Sequence, residues 1–396
     1  MKQPYNILVI TYWSFSDALI QTYTLPYLKI ISQKLPAGSK IFLVTLEKEN
    51  FGITAETAIP GILNIRFKYL AFGLAASFDW MKNIFALNRI VKKNNIQGIH
   101  SFCTPAGMIG FLLSRLTGKP HILDSYEPHA EAMVENGEWK ANSISFKLLN
   151  YFERKQTETA SQIIGTTAGM KDYALKKFNT QLNHFYVKPA CVDLNAFNLG
   201  LKKDSVLLDK LNLQNKIVCV YAGKFGGIYL KEEVFEFYKA CYQKWKNNFV
   251  ALILTGHSVE EMHGLIQQAG LPVSAFRIEF VEHALIPKYI GLGDFAITPV
   301  KPVNTKKYCT PIKNGEYWAM GLPVVITKDI SVDSDIIAHN NIGYVLQQPV
   351  LSEYVNAVNK MDELLKDPSV PLKIRTVAEK ERNFSIAEKV YTAIYA

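Results

Sequence analysis

The residues most capable of chemistry stand in the segment Lys307 to Thr327, KYCTPIKNGEYWAMGLPVVIT. Thr310 is a good helix N-cap and Pro311 suits the first helical position, while Gly321 and Pro323 end the helix before the strand-like PVVIT. The spacing predicts a helix from Thr310 to Met320. Its amino end offers free N–H groups and partial positive charge, and Lys301, Lys306, Lys307 and Lys313 are near in sequence, which suits a diphosphate. Lys313 and Glu316 lie three apart and so share one helix face. A carboxylate one turn beyond such an anion site can accept hydrogen bonds from both hydroxyls of a ribose. The same spacing also suits an ordinary capped helix whose Lys313 and Glu316 pair at the surface.

Three other stretches carry candidate groups. YAGKFGG, Tyr221 to Gly227, follows a strand-like run; Gly223, Gly226 and Gly227 let backbone N–H groups approach an anion, and Lys224 supplies charge. A tight turn with a solvated lysine is the alternative. In PHILDSYEPHAEAMVENGEW a strand ends at Asp124, which brings Asp124, Glu127 and His129 to a strand end, as candidate sugar contacts or bases or as turn and cap residues. The loop after the first strand offers Tyr12, Trp13, Ser14 and Asp17, which could stack on and hydrogen-bond a sugar or simply pack. Asp333-Ser334-Asp335 precedes a helical pattern, where Asp is a routine starting residue, so no metal site is assigned. Gly291-Leu292-Gly293 lacks the third glycine of a nicotinamide fingerprint.

Positioning these groups falls to short β-branched runs alternating with segments of helical period. NILVITY, KIFLVTL, GIHSF, PHILDSY and QIIGTT form one series; IVCVYAG, FVALILTG, FRIEFV, DFAITPV, LPVVITK and IGYVL form another. The fold class expected is α/β, with two doubly wound Rossmann-like domains, each with its ligand crevice beyond the carboxyl ends of a parallel sheet. The boundaries read as 1–195, a polar linker 196–215, 216–375, and a closing helix 376–396 that packs back on the first domain.

Among the 396 residues, 48% are apolar and 20% charged, which excludes disorder and low-complexity architecture. Lys and Arg outnumber Asp and Glu by 44 to 35, so an anionic partner is expected. Five scattered cysteines with no CxxC pair suggest neither a disulfide framework nor zinc. The amino terminus does not resemble a signal peptide and no apolar run is long enough to span a bilayer, so a cytoplasmic protein with at most peripheral membrane contact is expected. RFKYLAFGLAASFDWMKNIFALNRIVKK, which mixes aromatics with Lys and Arg, fits either a bilayer surface or a core helix with a solvated face.

CTPIKNGEYWAMGLPVV resembles the donor-site helix of the GT-B glycosyltransferases of family four, in which a Ser/Thr-Pro-x-Lys element precedes Glu-Tyr-x-Ala-x-Gly-x-Pro-Val. YVKPACVDLNAF is similar to the family's interdomain element, VYAGKFGG to its glycine-containing loop, and DFAITP to the strand before its donor helix. The likeness covers most of the chain and is weakest in the first hundred residues. It implies two domains facing a cleft and a retaining, metal-independent transfer from a UDP- or GDP-sugar, with no cofactor, to a glycan or lipid-linked acceptor in bacterial surface polysaccharide assembly. Nucleic acid is not an expected partner.

By this resemblance Glu316 binds the ribose, and Thr310, Pro311 and the backbone at Ile312 hold the diphosphate. Lys224 and Lys313 neutralise the leaving group, and Lys231 partly completes the family's basic pair. His283 to Leu285 hold the base, and Glu127 and His129 serve the reacting centre; Tyr12, Trp13, Ser14 and Asp17 are the acceptor candidates by the place of their loop after the first strand, not by any family motif. Tyr308 replaces a glutamate that often touches the donor sugar, and Tyr126 stands where a histidine is expected, which leaves the sugar and the histidine's role open. A nucleotide-sugar epimerase of the same architecture and a non-enzymatic anion-binding protein are the alternatives.

Overall fold

The computed structural model describes residues 3–70 and 77–396, in two compact units: residues 1–189 with 385–396, and residues 190–384. Among the described residues the first unit holds eight strands, β1 (Asn6–Ile10), β2 (Ile41–Glu47), β3 (Thr54–Glu56), β4 (Ile62–Lys68), β5 (Ile96–Phe102), β6 (His121–Tyr126), β7 (Gln162–Gly165) and β8 (Phe185–Val187). Their order across the sheet is β3-β4-β2-β1-β5-β6-β7-β8, and all pairings are parallel except β3 with β4. The chain winds outward from β1 in one direction and then from β5 in the other, so the switch point lies between β1 and β5. Ligands of such sheets bind beyond the carboxyl ends of the strands at this place.

The second unit repeats the logic with six parallel strands, β9 (Ile217–Ala222), β10 (Phe249–Leu254), β11 (Phe276–Glu279), β12 (Phe295–Thr298), β13 (Val324–Thr327) and β14 (Gly343–Leu346), in the order β11-β10-β9-β12-β13-β14. Its switch point lies between β9 and β12. FVALIL of β10 is buried at every position, as a parallel strand covered on both faces requires, and VVIT of β13 is buried likewise.

The two-domain α/β expectation therefore holds, with differences in detail. β3, β4 and β8 were not read from the sequence. The strand in PHILDSY does not end at Asp124 but continues to Tyr126; its register with β7 shifts between Leu123 and Tyr126, where Ser125 takes φ 54°. Asp124 is fully buried. It pairs with the equally buried Lys188 at 3.2 Å, accepts a hydrogen bond from Tyr391 at 2.7 Å and meets His100 Nε2 at 3.2 Å. Lys188 and its neighbours hold the carboxyl down at about 2 against the opposing effect of burial. It is an internal anchor for the closing helix Phe384–Tyr395 and not a crevice residue.

Candidate functional site

In the second unit the site residues gather at the β9/β12 switch point. Gly223 follows β9 and donates its N–H to Leu254 O at 2.9 Å. A Cβ at this glycine would stand 2.9 Å from the Tyr221 hydroxyl and 3.2 Å from Lys313 Nζ, so the turn and the lysine are in close approach. Gly226 and Gly227 take φ of 79° and 59°, a region that penalises any residue with a Cβ. Phe225, just before them, donates its N–H to His257 Nε2 at 3.0 Å, and His257 Nδ1 meets Glu261 at 2.8 Å. Because Nε2 accepts, Nδ1 carries the proton, and this histidine fixes the loop. Sequence reasoning passed over His257, whose only signal is its place just beyond the carboxyl end of β10.

Lys313 Nζ donates to the Tyr229 hydroxyl at 2.9 Å and sits 4.1 Å from the centre of that ring. It makes no ion pair with Glu316 or any other carboxylate among the described residues, which disposes of the surface-pair alternative. Burial pushes the Glu316 carboxyl up to about 7, with Lys313 pulling it the other way. The helix carrying both is tied down beneath them: Asn314, fully buried, accepts from Thr298 Oγ1 of β12 at 2.5 Å and donates to Asp333 Oδ2 at 2.6 Å. Asp333 in turn pairs with buried Arg382. Asp333 is thus a structural anion. Among the described residues no three His, Cys, Asp or Glu side chains converge as metal ligands would.

The helix begins at Ile312, not at Thr310, and runs to Ala319. Pro311 stands at the cap position with ψ 118°, and no side chain caps the amino end. Because Pro311 itself takes the extended backbone of a cap residue, Thr310 stands one position outside the helix. It is largely buried. The backbone N–H groups at the helix start remain in place for an anion. Lys224 is exposed, and its carbonyl accepts from the Tyr221 hydroxyl at 2.5 Å. Lys231 Nζ lies 3.4 Å from a Glu261 carboxylate oxygen, both side chains being partly exposed. His283 and Leu285 lie exposed in the short turn His283–Leu285.

In the first unit, Tyr12, Trp13, Ser14 and Asp17 all line one open cavity of about 830 Å³, together with Glu47 and Arg66. Glu127 and His129 are not among its lining residues. Glu127 Oε1 accepts from Thr166 at 3.4 Å, and His129 opens the helix His129–Glu135 with its N–H on Glu127 O at 2.8 Å. Tyr126, at the position where a histidine is expected, is a core residue whose hydroxyl accepts from Thr157 at 2.8 Å. The helix Ser77–Lys93 exposes Phe78, Met81 and Phe85. Residues 71–76 of the aromatic and basic stretch lie outside the described residues. No described helix is long and apolar enough to cross a membrane.

These two sheets and their switch points define the GT-B fold. Among solved structures, a sucrose-phosphate synthase from Thermosynechococcus elongatus superposes with TM-score 0.75 at 15% identity, over 99% of this chain and 98% of that one. Anabaena HepE in complex with UDP-glucose gives TM-score 0.71 at 14% identity, over 98% and 99% of the two chains. WaaG, a glycosyltransferase involved in lipopolysaccharide biosynthesis, gives 0.70 at 13% identity, over 99% of each. No family model and no curated protein sequence matches the chain.

Proposed function

We propose that the chain is a glycosyltransferase that moves a sugar from a UDP- or GDP-sugar to a glycan or lipid-linked acceptor, with retention and without an essential metal, in bacterial surface polysaccharide assembly. The observation carrying this reading is the Lys313 ammonium, which has no carboxylate partner among the described residues, against the Gly223 turn, with the desolvated Glu316 carboxyl one turn on along the same helix. A cation held by tyrosines instead of a carboxylate is available to a phosphate. The fold supports the reading, since neighbours such as HepE are seen with UDP-glucose.

In this mechanism the bond from the anomeric carbon to the diphosphate breaks and the acceptor hydroxyl oxygen takes its place. Lys313, Lys224 and the backbone from Thr310 to Ile312 stabilise the charge growing on the diphosphate; such preorganised groups commonly give the largest catalytic contribution. Gly226 and Gly227 let main chain approach the phosphates, His283 to Leu285 hold the base, and Glu316 takes the ribose. Glu127 and His129 are the candidates for receiving the acceptor's proton. The loop from Tyr12 to Asp17 meets the acceptor. The stripe of Phe78, Met81 and Phe85 with Lys82 beside it supports peripheral contact with a bilayer holding a lipid-linked acceptor.

A thermal-shift panel of nucleoside diphosphates and their sugars tests the proposal. One base is expected to raise the melting temperature in proportion to its affinity, and Glu316→Ala to abolish the rise. No response to any nucleoside diphosphate would refute a donor site. Following the bound donor by NMR without acceptor separates transfer from epimerisation.

A further inference from the structure

Parallel strands covered on both faces are normally apolar on both, and β2 and β4 break this on one side. Their register aligns Leu43 with Asn64, Thr45 with Arg66 and Glu47 with Lys68, so these side chains share a face. Phe42, Val44, Leu63, Ile65 and Phe67 pack in the core on the other. The polar face is wired internally. Asn64, 2% exposed, donates to Thr45 Oγ1 at 2.9 Å, and Thr45 donates onward to Glu47 Oε1 at 2.7 Å. That oxygen also accepts the Phe15 N–H at 2.8 Å. The same Asn64 accepts from Arg66 Nε at 3.0 Å through its Oδ1, and the guanidinium lies 5.5 Å from the centre of the Phe15 ring.

One buried amide thus orients both a carboxylate and a guanidinium, and both line the cavity. They do not pair with each other. Among the described residues Arg66 forms no ion pair, and its two terminal nitrogens have no protein partner. Lys48 and Glu49 are exposed at the same cavity, and Asp17 is engaged by the Leu19 N–H at 2.8 Å. A half-buried guanidinium tethered at Nε and left with a vacant fork matches the bidentate geometry of a phosphate or carboxylate.

We propose that this cavity takes an acceptor carrying an oxyanion, with Arg66 gripping the anionic group and Glu47 accepting a neighbouring hydroxyl. The inference rests on reading the loop from Tyr12 to Asp17 as the acceptor side. It adds a substrate class, an acidic or phosphorylated sugar, and makes Asn64 the positioning residue for both contacts.

The test is calorimetry on the full chain with three probes differing at one carbon: glucose, glucose 6-phosphate and glucuronate. At least one anion should bind about tenfold more tightly than glucose, as expected for a bidentate charged contact. Arg66→Gln should erase that preference, Arg66→Lys should keep part of it, and Asn64→Ala should weaken it while leaving the charge in place. A preference for the phosphate alone assigns a phosphorylated acceptor; one for glucuronate assigns a uronate. Equal binding of all three, binding of none, or a preference surviving Arg66→Gln overturns the proposal. UDP titrated into the same variants should bind as in the parent, which shows that they are folded. Should UDP fail to bind the parent while the anion preference holds, the donor reading falls and the anion site stands.

Discussion

Glu316→Gln tests the donor site at its most sensitive atom. Burial raises the carboxyl from 4.5 to about 7 although Lys313 favours the charged form. Only the carboxylate can accept from both ribose hydroxyls with full strength, so binding should draw on the ionised fraction. With a midpoint near 7, that fraction is about one tenth at pH 6 and about nine tenths at pH 8, worth up to about tenfold in affinity, or about 1.4 kcal/mol. Phosphate groups titrate in the same window, so the informative quantity is the difference between the parent and Glu316→Gln. Calorimetric titration with UDP at pH 6, 7 and 8 should show the parent gaining on the variant as pH rises. Parallel slopes would refute the ribose role.

Stability without ligand should move in the opposite sense. The folded value lies above the unfolded one, so the carboxyl's contribution is fully present below pH 4.5 and is lost as pH rises through 7. The span from 4.5 to about 7 is worth at most about 3 kcal/mol. Glu316→Gln, which cannot ionise, should therefore gain in melting temperature over the parent between pH 5 and 8 while losing nucleotide. An unchanged gap across that range would mean that the carboxyl is not desolvated.

Lys313→Ala should lower turnover by about 10²-fold or more with a smaller effect on UDP affinity, because its cation is matched to charge that grows in the transition state; undiminished turnover in a donor-consumption assay counts against it. Lys188→Met leaves Asp124 buried without its cation and should cost about 3–5 kcal/mol in urea denaturation at pH 7, whereas a loss under about 1 kcal/mol would show that the pair is not holding the closing helix. Because Asp124 is held at about 2, below its usual 3.8, that stabilisation should be present above pH 3.8 and fade as pH falls through 2. Replacing Phe78, Met81 and Phe85 together by Ser should reduce co-sedimentation with phosphatidylglycerol vesicles, and undiminished binding would dismiss this face as a membrane contact.

The two doubly wound sheets were legible because strands such as FVALIL are short apolar runs and the helices between them keep their period. β4 was not, and the reason is physical. ILNIRFK alternates Leu, Ile and Phe with Asn, Arg and Lys, which departs from the continuous apolar run of a covered parallel strand, and its tail merges into an aromatic and basic stretch. Asp124 misled in the other direction: a carboxylate near a strand end reads as solvent-facing unless Lys188, 64 positions away, is known to stand beside it. Thr-Pro reads as a cap and first helical residue, whereas in the folded chain Pro311 is itself the extended cap and the helix begins at Ile312; local preference allows both registers.

The parts of the site visible in the sequence are those whose geometry is set by adjacent residues. Gly226 and Gly227 announce left-handed backbone, and Lys313 and Glu316 share a face by helical spacing alone. Arg66 and Glu47 depend on register. Asn64 reaches Thr45 across 19 positions because β2 and β4 align Leu43 with Asn64; a slip of one residue would send these polar groups into the core behind Phe42 and Val44. The apolar face thus fixes the pairing, and the pairing brings the guanidinium and the carboxylate to one cavity. A half-polar strand inside an otherwise apolar parallel sheet is therefore itself a signal, because burying Asn and Glu there is tolerable only when every buried lone pair and proton finds a partner. In this chain those partners are the same groups that hold Arg66 and Glu47 at the cavity.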